Sequence, residues 1–234
     1  MLKKILVLIL LVGVGVIFFD LFMSYKTASE LSLLGKYYAD NAAREVGAAN
    51  LVTSIVVTYR GLDTLGEVSI LFVAAAIISF VLKTRPEDED KNREIRPASE
   101  ILKSATQVFT PIIIMVGIYI FMNGHLTPGG GFQGGAVIAS AVLLMLLASP
   151  KMHVSHKVIA VVESISGIGF VVAGLFGMLV GGGFLDNRIL PLGEFGTLFS
   201  AGVIPVIYTF IGLKVGAELS NIIDRMAQQQ NVKN

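Results

Sequence analysis

Hydrophobic residues make up 54% of the 234 residues, charged residues 15%, and mean hydropathy is +0.76, far from the soluble balance of about 25% charged. This is the composition of a polytopic membrane protein, and a net charge of +1 gives no reason to expect nucleic acid or an acidic substrate as partner. With no cysteine there is no disulfide, thiolate metal site or cysteine nucleophile, and the three histidines lack a zinc-binding spacing, so no metal or cofactor is expected.

The first apolar run, Ile5–Phe19, follows Lys3 and Lys4 as in a signal peptide, but no small-x-small cleavage pattern comes after it. An uncleaved membrane helix over Leu2–Met23 is expected, with Asp20 as an interfacial charge. Residues 24–49 mix Lys26, Glu30, Lys36, Asp40, Arg44 and Glu45 with alanine and leucine, which suits a surface or interfacial helix. Leu51–Tyr59 is apolar but about half the ~20 residues a span needs, so a re-entrant or protein-buried half-helix is expected.

A second span is expected over Leu65–Leu82. Thr64 as its cap puts Glu67 at the capping-box position, which makes Glu67 an ordinary acidic helix start; as an intramembrane acid it is equally a candidate on an ion path. The run Tyr59-Arg60-Gly61-Leu62-Asp63-Thr64-Leu65-Gly66-Glu67 resembles the C-terminal end of the MrpA antiporter subunit and the small MbhE-like subunit of membrane-bound hydrogenases. That resemblance covers residues 40–83 and implies that Glu67, with Asp63, handles protons.

Thr84–Pro97 is a dense, nearly balanced charge run with two prolines, the mark of a solvated connection. Six Lys/Arg from Lys83 to Lys103 put it on the cytoplasmic side. The expected organisation is therefore residues 1–83 as one membrane segment, 84–103 as a charged linker and 104–234 as a four-helix membrane domain.

Between the third span, Ser104–Met122, and the fourth, Gly135–Ala148, lies Gly124-His125-Leu126-Thr127-Pro128-Gly129-Gly130-Gly131-Phe132-Gln133-Gly134-Gly135, six of whose twelve residues are glycine. It reads as a tight turn opening a helix. Gly129-x-Gly131-x-x-Gly134 spells a dinucleotide fingerprint and Gly129-x-x-x-x-Gly134 the start of a phosphate loop, but no strand precedes the turn and no lysine with Ser/Thr follows Gly134, so neither nucleotide motif applies. The string resembles the signature of the MrpB (MnhB) subunit of multisubunit cation/proton antiporters, with the likeness running from Pro97 onward. The resemblance makes Gly124, Pro128, Gly129, Gly130, Gly131, Phe132 and Gly134 structural motif positions. His125 is either a proton carrier at the turn or a polar residue holding it by hydrogen bonds.

His153 and His156, beside Lys151 and Lys157, read as solvated loop charge. The fifth span, Val158–Val180, carries Gly169, Ala173, Gly177 and Gly181 in one ridge, and the sixth, Phe195–Ile223, carries Gly212, Gly216 and Ser220; such ridges pack helices closely. Pro205 is expected to kink the sixth helix, and Glu194 to cap it. Glu163 is either path-lining or a partner for a lysine on a neighbouring subunit. Lys214 and Glu218, four apart, can pair near the cytoplasmic end, where lysine snorkels, or join an ion path.

The expectation is an all-α, six-span protein with a re-entrant or interfacial helical segment and both termini cytoplasmic, in the cell membrane. Resemblance implies a non-catalytic subunit of a Na⁺/H⁺ antiporter module beside MrpA-, MrpC- and MrpD-like subunits, lipid, H⁺ and Na⁺. The alternatives are the same subunit in a redox-driven complex with hydrogenase-like or sulfur-reducing partners, and a scaffold that moves no ions. The sequence holds no nucleophile–base pair or cofactor motif that marks a stand-alone enzyme.

Overall fold

A computed structural model describes residues 2–25, 30–82, 98–149, 152 and 154–230. Every regular element among them is helical, and six helices are long and apolar enough to cross a membrane. The protein is a multi-pass, all-α membrane protein. Lys26, Lys151, His153 and the charge run from Lys83 to Pro97 lie outside the described residues.

The chain forms two compact units, Met1–Tyr37 and Tyr38–Asn234. In the first, α1 (Leu2–Ser24) is one continuous apolar helix, and none of its most apolar window is buried within the chain. Its large side chains, Ile5 to Met23, are exposed, as suits a helix surrounded by lipid or by other subunits. Asp20 is exposed near its end.

The second unit is built around α8 (Ile204–Gln230), which packs against α4 (Gly61–Val81), α5 (Glu100–Met122), α6 (Gly131–Ala148) and α7 (His156–Val180). Of its apolar window 61% is buried, against 17% for α4 and α5, so α8 is the central helix. The close contacts come from the expected small residues. A Cβ at Gly135 of α6 would stand 2.8 Å from the Gly212 carbonyl oxygen of α8, and one at Gly169 of α7 would stand 2.6 Å from the Phe210 ring. Gly177 and Gly181 are covered by the loop around Asp186. The ridges are thus used largely within the chain.

Several boundaries differ from expectation. The third span begins at Glu100, four residues early, because Ser99 accepts from the Leu102 amide and caps it. The fourth begins at Gly131, giving 18 residues and about 27 Å of rise, enough to approach a full crossing. The sixth begins at Ile204 rather than Phe195. Gly193, Gly196, Ala201 and Gly202 all have positive φ, so the backbone cannot enter a helix before them. Pro205 therefore falls in the first turn of α8, where its missing N–H is not needed, and no kink arises from it. Glu194 caps no helix; it is exposed in this loop, and its carbonyl accepts from Thr197. The capping box at Thr64 is also absent: α4 starts at Gly61, and the Thr64 hydroxyl donates to the Val56 carbonyl.

The expected half-helix is present as α3 (Leu51–Thr53) running into a wider-wound π-helical stretch, π1 (Ser54–Tyr59). Thr53, Ser54 and Val57 in it are fully buried. Preceding it, α2 (Leu33–Val46) ends at a backbone carbonyl on Val46 that accepts from Asn187 Nδ2 at 2.6 Å. The loop after α7 is closed by Asp186, which accepts from the Gly182 and Arg188 amides and from the Arg188 guanidinium. That guanidinium, with burial opposing it, holds the Asp186 carboxyl well below the usual range.

Candidate functional site

The glycine turn is assembled by partners far away in the chain. Gly129 has φ +149°, a conformation that glycine tolerates, and a Cβ at Gly124 would meet the Tyr208 ring at 2.7 Å. Asn50 holds α3 and the turn at once: its Oδ1 accepts from the Val52 amide, while its Nδ2 donates to the Gly124 and Thr127 carbonyls. Thr53 Oγ1 donates to the Gly124 carbonyl at 2.6 Å and lies 2.9 Å from the Tyr208 hydroxyl of α8. In an apolar medium these bonds satisfy backbone groups that nothing else could reach. Phe132 packs against the core, Gly130, Gly131 and Gly134 are buried, and Pro128 is exposed.

His125 is fully buried; its Nε2 lies 3.3 Å from the Thr197 carbonyl oxygen, and its Nδ1 has no hydrogen-bond partner among the described residues. Burial pushes its pKa down, outweighing the neighbouring carbonyls, so it is neutral at neutral pH. A group with a depressed basic pKa gives its full stability above its unfolded pKa of about 6.5 and loses it as pH falls toward and through the folded value. The detergent-solubilised protein is therefore expected to lose thermal stability more steeply below about pH 6.5 than the His125→Gln variant, which melting curves across pH would measure.

One face of α8 carries the most costly charges. Lys214 is 7% and Glu218 0% exposed, and Nζ lies 2.7 Å from Glu218 Oε1. The ammonium also lies 4.8 Å from the Phe72 ring centroid of α4, a cation–π distance, and faces Gly167 of α7. Neither Glu218 oxygen has a hydrogen bond of good geometry among the described residues, so the close approach is an ion pair with lone pairs to spare. Glu163, half-buried on α7, is within electrostatic range of Glu218. The pair thus lies inside the helix bundle instead of snorkelling out.

Asp63 and Glu67 lie elsewhere. Asp63 is half-exposed and paired with Arg60, and Glu67 is exposed on α4. Neither joins the Lys214 cluster. Asp224, to which the sequence alone drew no attention, is 1% exposed near the end of α8; Gln228 donates to it, and His156 Nε2 stands 3.5 Å from its Oδ2. His156, expected as loop charge, is the first residue of α7. Among the described residues there is no group of three or more potential metal ligands.

Residues 101–221 match the family described as a domain related to the MnhB subunit of the Na⁺/H⁺ antiporter, and residues 2–107 match the MbhE family of MBH components. An uncharacterized Methanocaldococcus jannaschii protein is 33% identical over 196 residues, 73% of this chain and 74% of that one. A chain of the membrane-bound sulfane sulfur reductase, an archaeal respiratory membrane complex, superposes with a TM-score of 0.80 at 39% identity, covering 97% of this chain and 98% of that one. A chain of the Mrp complex from Dietzia sp. superposes at 0.75 with 25% identity, covering 96% of this chain but 26% of the other.

Proposed function

Because the chain belongs to the family of domains related to the MnhB antiporter subunit, we propose that it is a membrane subunit of a multisubunit cation/proton antiporter module in which Lys214, Glu218 and Glu163 handle protons or Na⁺. The observation that carries this reading is the buried ion pair. A charge pair with unfilled hydrogen-bonding capacity inside a membrane bundle is costly, and a purely structural seam is served better by apolar side chains. A proton arriving at Glu218 releases Lys214 toward Glu163, and its departure restores the pair.

Asp63 and Glu67, exposed on α4, suit contact with an antiporter-type neighbour of the MrpA, MrpC or MrpD kind. The neighbours supply whatever chemistry drives the module, and this chain acts as a non-catalytic member in the cell membrane, with its basic connections and both termini on the cytoplasmic side.

A second reading concerns the host complex. The end-to-end match to a chain of an archaeal respiratory complex favours a redox-driven assembly over a stand-alone exchanger. Purifying the tagged chain from its native membrane in mild detergent distinguishes them: iron–sulfur proteins co-purify with a redox-driven assembly, and antiporter-type subunits alone with an exchanger. In vesicles containing that complex, a Na⁺ pulse is expected to move protons, and Glu218→Gln to abolish the movement while every subunit remains present. Unchanged proton movement in Glu218→Gln refutes the ion-handling role.

A further inference from the structure

The buried pair needs an aqueous entrance, and the two ends of α8 are unequal. Toward Ile204, the helix carries Ile211, Ile207 and Ile204, each at most 1% exposed, and Phe170 of α7 belongs to the same core. Tyr208 belongs to this core as well, and Ile211 lies between it and Lys214 along the helix.

Toward the other end the seam is polar. Asp224 lies six residues beyond Glu218, about 9 Å of helix rise, and is sealed from solvent. His156 lies seven residues before Glu163, two turns of α7 and nearly the same face. His156 with Asp224 thus lies at the end of the α7–α8 contact, and Glu163 and Glu218 lie deeper, two turns back along α7 and six residues back along α8, where Glu218 stands about 120° around the helix from Asp224. The His156 side chain is 48% exposed and that of Asp224 1%, so the imidazole meets water on one side and a sealed carboxylate on the other.

We propose that His156 and Asp224 form the water-side proton entrance to the Lys214–Glu218 pair, which deepens the ion-handling role proposed above and rests on it. His156 takes a proton from solvent on its imidazole and passes the Nε2 proton to Asp224 Oδ2, which discharges both groups. Asp224 then delivers it toward Glu218, six residues back along α8. The charged groups around the entrance are consistent with this direction. Arg225 follows Asp224 on α8 and donates to Asn221, while Lys157 follows His156 on α7, and Glu163 and Glu218 lie deeper. An imidazole suits the task because its two ring nitrogens can take a proton on one side and give one up on the other.

The test uses the intact complex reconstituted in liposomes, with Na⁺-driven proton flux measured from about pH 6 to pH 9, so that proton supply falls across the series. Delivery limits the rate when protons are scarce, so His156→Gln, which keeps a polar side chain without a titrating ring, is expected to match the parent near pH 6. It should then fall to about a tenth of the parent rate at the alkaline end. Added imidazole is expected to restore part of the loss, a readout that a structural role does not move. Asp224→Asn is expected to lower the rate at all pH values. A parental pH profile in His156→Gln overturns the entrance even if Asp224→Asn fails to assemble. If Glu218→Gln abolishes flux while His156→Gln and Asp224→Asn do not alter it, the entrance fails and the ion-handling role stands. Full flux in Glu218→Gln removes both.

Discussion

Replacing Lys214 by methionine is expected to destabilise the protein by about 3–5 kcal/mol, because the Glu218 carboxylate, with no exposure to solvent, loses its cation. The loss should appear as a depleted subunit on native gels. Adding Glu218→Leu removes the stranded charge, and the seam beside Phe72 and Val215 then holds apolar groups of similar volume. Such exchanges are commonly neutral or stabilising, so the double variant should recover the subunit. It should not recover Na⁺-driven proton flux. Recovery of both assembly and flux would reduce the pair to a packing device and leave the scaffold reading in possession of the seam.

Gly135→Val is expected to be nearly as damaging, for a reason unrelated to charge. Its Cβ would stand 2.8 Å from the Gly212 carbonyl oxygen and 2.8 Å from Val215 Cβ, so α6 and α8 must move apart along their contact. Overpacking of this kind costs about 1–3 kcal/mol or more in a well-packed interior, and here the obstacle includes rigid helix backbone. The expected result is loss of the assembled subunit, measured by native gel and by thermal unfolding in detergent. Gly66→Ala, on an open surface of α4, should leave both unchanged.

What the sequence can convey depends on range. Apolar runs and the glycine turn are local signals, so the six spans and the turn are legible from their own letters, and the four-residue spacing of Lys214 and Glu218 already implies a pair. Their burial is not legible, because it depends on Phe72 and Gly167, which are distant in the chain and close only after folding. The charge alone points to a snorkelling lysine. The start of α8 is hidden because the apolar run from Phe195 conceals three residues of positive φ, one of them an alanine. Asp224 gives little local signal, since an acid among Asn221, Arg225 and Gln228 looks like a solvated helix end. Its burial, and the approach of His156 from α7, exist only in the folded chain. A histidine next to a lysine at the start of a helix is the available signal, and it acquires meaning only with its partner across the seam.

The hydrogen bonds from Asn50 and Thr53 to the Gly124 carbonyl tie residues more than seventy positions apart. Were the corresponding pieces separate polypeptides, each would have to diffuse through the bilayer, meet the other and compete for it. Carried on one chain, they meet at an effective concentration set by the connecting segment, of the order of millimolar for a short flexible one. Synthesis of one polypeptide also fixes their ratio at one to one, so no surplus half is left exposing an unfilled turn to lipid. Dosage, in this protein, is settled before assembly begins.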